Sequence, residues 1–442
     1  MNSVLTMAER SVPRYTSYPT APHFSAAVGP QSYAAWLATL SKAETLSLYL
    51  HVPFCTELCL YCGCTTKAAR RRAPVDAYAE HLAREIDLLG AAIGGQRVVH
   101  LHWGGGTPSI LGSDRLIDLV DRLAATFDIA GIAEHAIELD PRRVTPELAA
   151  ALARIGITRA SFGVQEFSPR VQRAIGRIQP FAQVEAAVDT VRGVGITDIN
   201  IDLMYGLLHQ TIGDVIRSAE LAASLEPARL ALFGYAHVPW FKPHQRLIED
   251  AALPGAAERV AQMRAAADTL EECGYVPIGL DHFAARGRDM VRAARVGRLR
   301  RNFQGYTTDP ADVLIGLGAS AIGLMPQGYV QNASDAGSYT RAIAAGQFAT
   351  AKGHALSADD RVRGRIIEQL MCDLAVDLDA TEPSADFSAE LDEIDALSAF
   401  GIVRREGRLV IMTEMGRPFV RLVAAAFDAY LPKHRARHSV AV

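Results

Sequence analysis

The stretch LSLYLHVPFCTELCLYCGCT, residues 46–65, decides how this chain is read. It opens on an apolar run, Leu46 to Val52, whose length and alternation predict a buried strand. Four of the six cysteines follow within ten residues: Cys55, Cys59, Cys62 and Cys64. The spacing C-x3-C-x2-C lets three thiolates converge on one small object at the mouth of a sheet. Structural zinc takes four protein ligands in paired knuckles. No second pair follows, because Cys273 and Cys372 stand alone, and His51, which could complete a tetrad, lies on the strand. A thioredoxin-like pair at Cys59 and Cys62 leaves Cys55 unexplained. An iron–sulfur cluster usually has four cysteine ligands, so three leave one iron open to bind and activate a ligand. The pattern favours that chemistry.

Outward from this stretch, the chain alternates strand and helix. Strands are predicted at 46–51, 98–102, 136–140, 159–163, 198–203 and 229–234, with helices between them. Phe181, Val184, Val188 and Val191 recur at helical spacing and mark a stripe for the core. Pro146, Pro169 and Pro227 punctuate the joins. Six such units imply a parallel sheet curled into a partial (β/α)6 barrel. Two further units, which a full barrel would need, are not evident before residue 325.

In such folds chemistry gathers where strands end. Strand 98–102 runs into Gly104, Gly105, Gly106, Thr107 and Pro108, and consecutive glycines can offer backbone N–H groups to a close ligand. The next strands end near Glu138 and Asp140, Gln165, and Asp202.

With 442 residues, 49% hydrophobic and 21% charged, the chain has room for one large domain and one small. A net charge of −4 gives no basic field for nucleic acid or membrane. Clustered cysteines suit a reducing compartment rather than a disulfide framework. With no membrane span and no signal sequence evident, the expected location is the cytoplasm. Prolines 13, 19, 22 and 30 make residues 1–35 irregular. After about 355 the pattern changes: helices at 359–375 and 387–399, a hairpin turning at Glu406–Gly407, then a helix to about Leu431. This predicts a small, mainly helical, winged-helix-like module over 356–442, whose basic residues, the tail Lys433 to His438 included, gather on no clear recognition helix.

The C-x3-C-x2-C run with Tyr61 before its last cysteine resembles the cluster motif of radical S-adenosylmethionine enzymes. Its extended form, HVPFC-x3-C-x-YCGC, is similar to that of the oxygen-independent coproporphyrinogen III oxidases. YTSYPTAPHF at 15–24, HWGGGTPS at 102–109, ELDPR at 138–142, SFGVQEF at 161–167 and NIDLMYGL at 200–207 resemble the same family. So do YAHVP at 235–239, DHFA at 281–284 and NFQGYTTD at 302–309, all in the family's order.

The resemblance implies an arm at 1–35 lying over the active site, a catalytic partial barrel at 36–355, and a covering module after it. It implies Cys55, Cys59 and Cys62 as ligands of a [4Fe-4S] cluster. Tyr49, Gly105, Glu138 and Ile322 match positions lining a first S-adenosylmethionine. Tyr61, Gly106, Thr107, Gln165, Arg177, Asp202 and Ala236 match a second adenosylmethionine position. Cys64 is a family feature that is not a cluster ligand; with Tyr49 and Glu138 it is expected to bear on catalysis. Tyr61 and Leu208 depart from the family's usual phenylalanine and proline.

The implied reaction starts when the reduced cluster cleaves adenosylmethionine to a 5′-deoxyadenosyl radical. That radical takes a hydrogen from a propionate β-carbon, and loss of carbon dioxide and an electron leaves a vinyl group. Two rounds convert coproporphyrinogen III to protoporphyrinogen IX. An electron-donor protein is the implied partner, with a monomer expected and no nucleic acid or membrane. Seven arginines between 286 and 301 (286, 288, 292, 295, 298, 300, 301) face one acid, Asp289. They read as a solvated helical face, or as a grip on substrate carboxylates in which Arg301 is favoured over Arg286. Two rival functions are a haem-carrying relative without oxidase activity and a zinc-stabilised binding protein.

Overall fold

The computed structural model describes Met7 and residues 9–431; the basic tail from Lys433 to His438 lies outside them. Six parallel strands form its centre: β1 (Leu46–Val52), β2 (Val98–Gly105), β3 (Glu134–Leu139), β4 (Arg159–Gln165), β5 (Asp198–Tyr205) and β6 (Arg229–Gly234). They fall where the alternating pattern puts them. β2 is three residues longer than expected, because Gly104 and Gly105 stay in register with His51 and Val52.

The sheet is wider than six strands. β7 (Tyr275–Ile278) and β8 (His282–Ala285) add an antiparallel pair beyond β6. β9 (Val313–Leu317) lies parallel to β1 on its other side. β10 (Ile322–Met325), β11 (Gly328–Asn332) and β12 (Thr350–Ala355) continue outward from it as an antiparallel meander. The twelve strands run in the order β12-β11-β10-β9-β1-β2-β3-β4-β5-β6-β8-β7.

Helices cover one face. Leu46, Leu48, Leu50 and Val52 on β1 are fully buried. Helix Arg72–Ile93 buries Val75, Tyr78, Leu82, Ile86, Leu89 and Ile93 at 3.6-residue spacing. Each large apolar side chain so buried contributes roughly 1.5–3 kcal/mol. In helix Phe181–Gly193, Val184, Val188 and Val191 are buried as the stripe predicts. Thr145 caps helix Pro146–Arg154, and Thr211 with Asp214 forms a capping box on helix Ile212–Ser224.

The strand starts are tied by charge. Glu134 accepts from Arg159 and Arg229, each at 2.9 Å, deep in the protein. Burial pushes its carboxyl up, but the two guanidiniums outweigh burial and hold it well below the usual range.

After the sheet come helix Ala358–Asp373, strand Ala375–Asp377 and helix Ser388–Ser398, then the hairpin Val403–Glu406 and Leu409–Met412. This order is that of a winged helix. The first helix stops two residues before the expected 375 because Leu374 turns left-handed (φ 58°) and Ala375–Asp377 pairs with Leu409–Met412. The last helix, Val420–Ala426, is likewise shorter than expected. N-terminal residues pack on this module: Tyr15 donates to Asp428 at 3.0 Å, and the Ala429 N–H donates to Tyr18 at 3.0 Å. From the same segment, Arg14 donates to the Gly234 carbonyl at the end of β6 (3.0 Å).

Candidate cofactor site at the strand ends

The loop after β1 carries the cysteines to the C-terminal ends of the strands. Cys55, Cys59, Cys62 and Cys64 line one cavity of about 280 Å3 with Gly106, Thr107, Glu138, Gln165, Arg177 and Asp202. Its far wall includes Phe233 of β6. All four are free thiols.

Side chains from the loop's own end and from segments after β2 and β4 fix the loop. Thr107 and Thr66 hydroxyls stand 3.4 Å from Cys55 Sγ, and Arg177 Nη1 donates to Cys59 Sγ at 3.5 Å. Three residues after β6 hold the loop's backbone: Gln245 donates to Tyr61 O (3.0 Å), His244 to Cys62 O (2.7 Å) and Lys242 to Cys64 O (2.9 Å). Burial pushes the Cys55 thiol up, whereas a hydrogen bond from Cys64 brings Cys62 down to about 7.

Among the described residues, no three His, Cys, Asp or Glu side chains are placed to hold a single metal ion. A polynuclear cluster asks for something different, one thiolate on each of several irons. Three cysteines around one cavity, with hydrogen-bond donors on the sulfurs of Cys55 and Cys59, fit that demand. A zinc tetrad through His51 does not fit: its Nδ1 faces the Tyr49 hydroxyl at 3.0 Å and its Nε2 faces the Thr65 carbonyl at 3.0 Å. Since a carbonyl only accepts, Nε2 carries the proton and Nδ1 accepts from Tyr49. Burial lowers the His51 pKa and keeps the ring neutral.

Glu138 accepts from His102 Nε2 (3.3 Å) and from the Gly105 N–H (3.1 Å). Burial pushes its carboxyl up, but these donors outweigh burial and keep it ionised. Asp202 behaves oppositely: burial raises it to about 6 although Asn200 donates to it at 2.8 Å. Two carboxylates in one cavity therefore differ in charge below neutral pH. Arg177 donates to the Gly163 carbonyl (2.5 Å) and stands 3.6 Å from Asp140.

Gln165 has the left-handed backbone angle φ 72°, rare for a residue with a side chain. Its buried Oε1 finds no hydrogen-bond partner among the described residues. A buried acceptor left over in a cavity marks a place for a ligand's donor.

Gly105, Gly106 and Thr107 line the cavity, but their backbone N–H groups are taken up by the protein. The Gly105, Gly106 and Thr107 N–H groups donate to Glu138, Val52 O and Phe54 O. A Cβ on Gly104 would come within 2.7 Å of Glu138, and one on Gly106 within 2.4 Å of the Phe54 carbonyl. The expectation of backbone donors open to a ligand is corrected on that point. The glycines let β2 pass close to the cysteine loop and to Glu138.

Three residues of the expected set stand apart from this cavity. Tyr49 lies behind Gly104, hydrogen-bonded to His51. Ala236 follows β6 and accepts from Gln245 at 3.3 Å. Ile322 opens β10, its backbone against Gly316 of β9. Lys242, His244 and Gln245 escaped the sequence reading, since PHQR carries neither periodicity nor motif. In the arginine run, Arg286 is exposed, Arg292 pairs with Asp289 and Arg300 with Glu368 (3.3 Å). Arg301 differs, its side chain only 5% exposed.

Comparison with known proteins places this geometry. Residues 49–222 match the radical SAM superfamily model. The chain is 47% identical to oxygen-independent coproporphyrinogen III oxidase of Bradyrhizobium diazoefficiens, over 99% of both chains. It is 43% identical to the protein of that name in Paracoccus denitrificans, over 96% of both. Among solved structures it resembles coproporphyrinogen III oxidase from Escherichia coli, described as a radical SAM enzyme, with TM-score 0.89 and 35% identity. That match covers 95% of this chain and all of the other. A cysteine loop at the mouth of a parallel sheet, within full-length similarity of this kind, makes the chain a member of the oxygen-independent coproporphyrinogen III oxidase family of the radical SAM superfamily.

Proposed function

We propose that the protein decarboxylates two propionates of coproporphyrinogen III oxidatively to vinyl groups, giving protoporphyrinogen IX without oxygen. The observation that carries this reading is the single cavity joining Cys55, Cys59 and Cys62 to Glu138, Gln165 and Asp202. Cys55, Cys59 and Cys62 hold a [4Fe-4S] cluster. Tyr49, Gly105, Glu138 and Ile322 shape a first adenosylmethionine position, and Tyr61, Gly106, Thr107, Gln165, Arg177, Asp202 and Ala236 a second. Cluster and adenosylmethionine, when bound, supply the radical chemistry, and the protein supplies binding, orientation and exclusion of water. Ionised Glu138 suits an ammonium group, and the free Oε1 of Gln165 suits an N–H or O–H donor. Tyr49 keeps its proton, since burial raises its pKa well above the ordinary value.

The catalytic unit spans residues 36–355, the arm is 1–35 and the covering module 356–442; the described parts of both pack against it. It works as a monomer, reduced by a protein electron donor. The helix before the hairpin, Ser388–Ser398, takes a recognition helix's place but carries Glu390, Asp392, Glu393 and Asp395 and no cation. Such a helix repels phosphate, so the module serves the enzyme rather than nucleic acid.

The test is an anaerobic assay of the reconstituted protein with coproporphyrinogen III and a chemical reductant, following protoporphyrinogen IX and carbon dioxide. Absence of both from iron-loaded protein would overturn the reading. Cys55→Ala, Cys59→Ala and Cys62→Ala should each abolish the cluster's absorption and iron content, whereas Cys64→Ala should keep them.

A further inference from the structure

A cluster on Cys55, Cys59 and Cys62 takes its electron across the surface nearest to it, because electron tunnelling falls steeply with distance. Cys55 and Cys62 are half-buried and Gly63 beside them is exposed, which puts the loop itself close to that surface. Three segments border the loop. Residues 67–71 run beside Phe54 and Cys55, where the Ala69 N–H donates to Cys55 O at 2.8 Å. Residues 173–178 meet it at Leu60, whose N–H donates to Ile175 O at 3.1 Å. Residues 240–247 carry the three side chains that hold its carbonyls.

This border is apolar where a surface is normally polar. Seven large apolar side chains are exposed among the described residues, and four of them lie here: Ile178 (61%), Trp240 (47%), Phe241 (70%) and Leu247 (73%). Ile178 adjoins Arg177, which donates to Cys59 Sγ. Phe241 adjoins Lys242, whose ammonium sits 4.8 Å over the Phe241 ring and donates to Cys64 O. Leu247 stands two residues after Gln245, which holds Tyr61 O. The four thus gather around the loop instead of being scattered singly, and gathered apolar surface marks a place where another molecule docks.

The border is also basic. Residues 57–72, 170–178 and 240–247 hold nine lysines and arginines against one acid, Glu57, in a chain whose net charge is −4. Arg72 and Arg170 are paired with Asp76 and Asp214, and buried Arg177 stands near Asp140. Lys67, Arg70, Arg71, Arg173 and Arg246 are exposed and pair with no carboxylate among the described residues. Glu249 and Asp250 follow only beyond Leu247, and Asp250 faces His237 at 2.9 Å. Aromatic and aliphatic contacts among charged neighbours are the make-up of a protein interface, and the sign of the charge selects an acidic partner.

We infer that this border is the docking surface for a small acidic protein carrying a low-potential one-electron centre. Ile178, Trp240, Phe241 and Leu247 give the apolar contact, and Lys67, Arg70, Arg71 and Arg173 steer the approach. The carrier's reduced centre gives one electron to the oxidised cluster; the carrier leaves oxidised by one electron, and no bond or proton moves. That a donor is needed rests on the activity proposed above; the apolar and basic character of the surface does not.

The test reads cluster reduction with no tetrapyrrole present. Cluster-loaded protein is mixed anaerobically with a reduced flavodoxin or a reduced [2Fe-2S] ferredoxin, both acidic, and the reduced cluster is followed by its paramagnetic signal in freeze-quenched samples. Calorimetry measures binding of the oxidised carriers in parallel, and comparing the two says whether a flavin or an iron–sulfur carrier fits. At least one should bind and reduce wild type, at a rate that falls as salt is added. Arg70→Glu/Arg71→Glu/Arg173→Glu should lower that second-order rate roughly 10–100-fold, within the range that electrostatic steering supplies. Phe241→Ser should weaken carrier binding roughly 10-fold and leave the salt dependence in place. Neither variant touches the clamp on the loop, so both should keep the wild-type iron content and be reduced by dithionite at the wild-type rate. Absence of binding by both carriers would overturn the proposal, as would wild-type rates in both variants. Equal slowing with dithionite would also overturn it, since the patch would then support the loop. So would a wild-type dimer, seen by sedimentation and lost in Phe241→Ser with carrier reduction unchanged, because the patch would then join two copies of this chain. An enzyme active with dithionite that no acidic carrier binds defeats only this surface. One whose cluster a carrier reduces, but which leaves coproporphyrinogen III unchanged, defeats only the proposed activity.

Discussion

At the scale of single residues, Gln165 concentrates the cost of the site. A left-handed backbone and a buried, unsatisfied acceptor are each unfavourable by about 1–3 kcal/mol. Folding does not favour that combination; on the proposed function, ligand binding does. Gln165→Ala should therefore keep the iron and sulfide of the wild type while weakening adenosylmethionine binding by roughly 1–3 kcal/mol. Anaerobic formation of 5′-deoxyadenosine measures it; a wild-type yield would return Gln165 to a loop-shaping role. Asp202 offers a second reading through pH. Its pKa is raised to about 6 from the ordinary 3.8, so the folded protein binds the extra proton and loses stability as pH rises through that window. Asp202→Asn should gain on the order of 3 kcal/mol over wild type at pH 8 without adenosylmethionine. The gain should vanish near pH 4, which denaturation at the two pH values checks.

At the scale of elements, the two ends of the central strands have different work. Their C-terminal ends hold the cavity, and their N-terminal ends hold Glu134 between Arg159 and Arg229. Glu134→Gln leaves buried Arg159 without its salt-bridge partner and Arg229 with Asp198 alone, at 3.7 Å, and should cost about 3–5 kcal/mol of stability. Because the folded carboxyl is depressed below 4.5, the stabilisation is present above that pH and is lost as pH falls. Wild type should thus lose stability on acidification while the variant's curve stays flatter, with cluster content unchanged at pH 8; chemical denaturation checks both.

The six parallel strands were legible in the sequence because each carries an apolar run between helical stretches. β9 was not, although VLIGL is apolar, because its pairing with β1 spans 267 residues and no helix-bearing unit announces it. Short hairpin strands such as β7 and β8 leave too few residues for a period to emerge. In the site, the cysteines were legible from spacing alone. Glu138, Gln165 and Asp202 showed as polar strand ends, and the resemblance supplied their roles. The Tyr49–His51–Thr65 chain could not be read, since it depends on which face each side chain takes beside a loop.

At the scale of the whole molecule, the two ends of the described chain meet. Tyr15 and Tyr18 insert against Asp428 and Ala429, and Arg10 stands 3.7 Å from Glu393. Asp428→Ala removes one charge-assisted bond to the arm, about 1.5–3 kcal/mol, and leaves the sheet untouched. The arm should open locally, so trypsin should cut after Arg10 or Arg14 roughly 10–100-fold faster, with little change in the main unfolding midpoint. An unchanged cleavage rate would mean that the arm is held by other contacts.

The clamp on the cysteine loop has a consequence in time. Its donors, Lys242, His244 and Gln245, lie 178, 182 and 184 residues beyond their acceptors. A ribosome adding about 5–20 residues per second takes roughly ten to forty seconds to reach them. The strand that flanks β1 on its other side, Val313–Leu317, is made later still. Until the clamp's donors are made, the four thiols of the loop lack it. On this order of synthesis, a cluster held by the finished pocket is assembled after the barrel has been translated, and the loop's thiols stay open to solvent oxidants until the clamp forms.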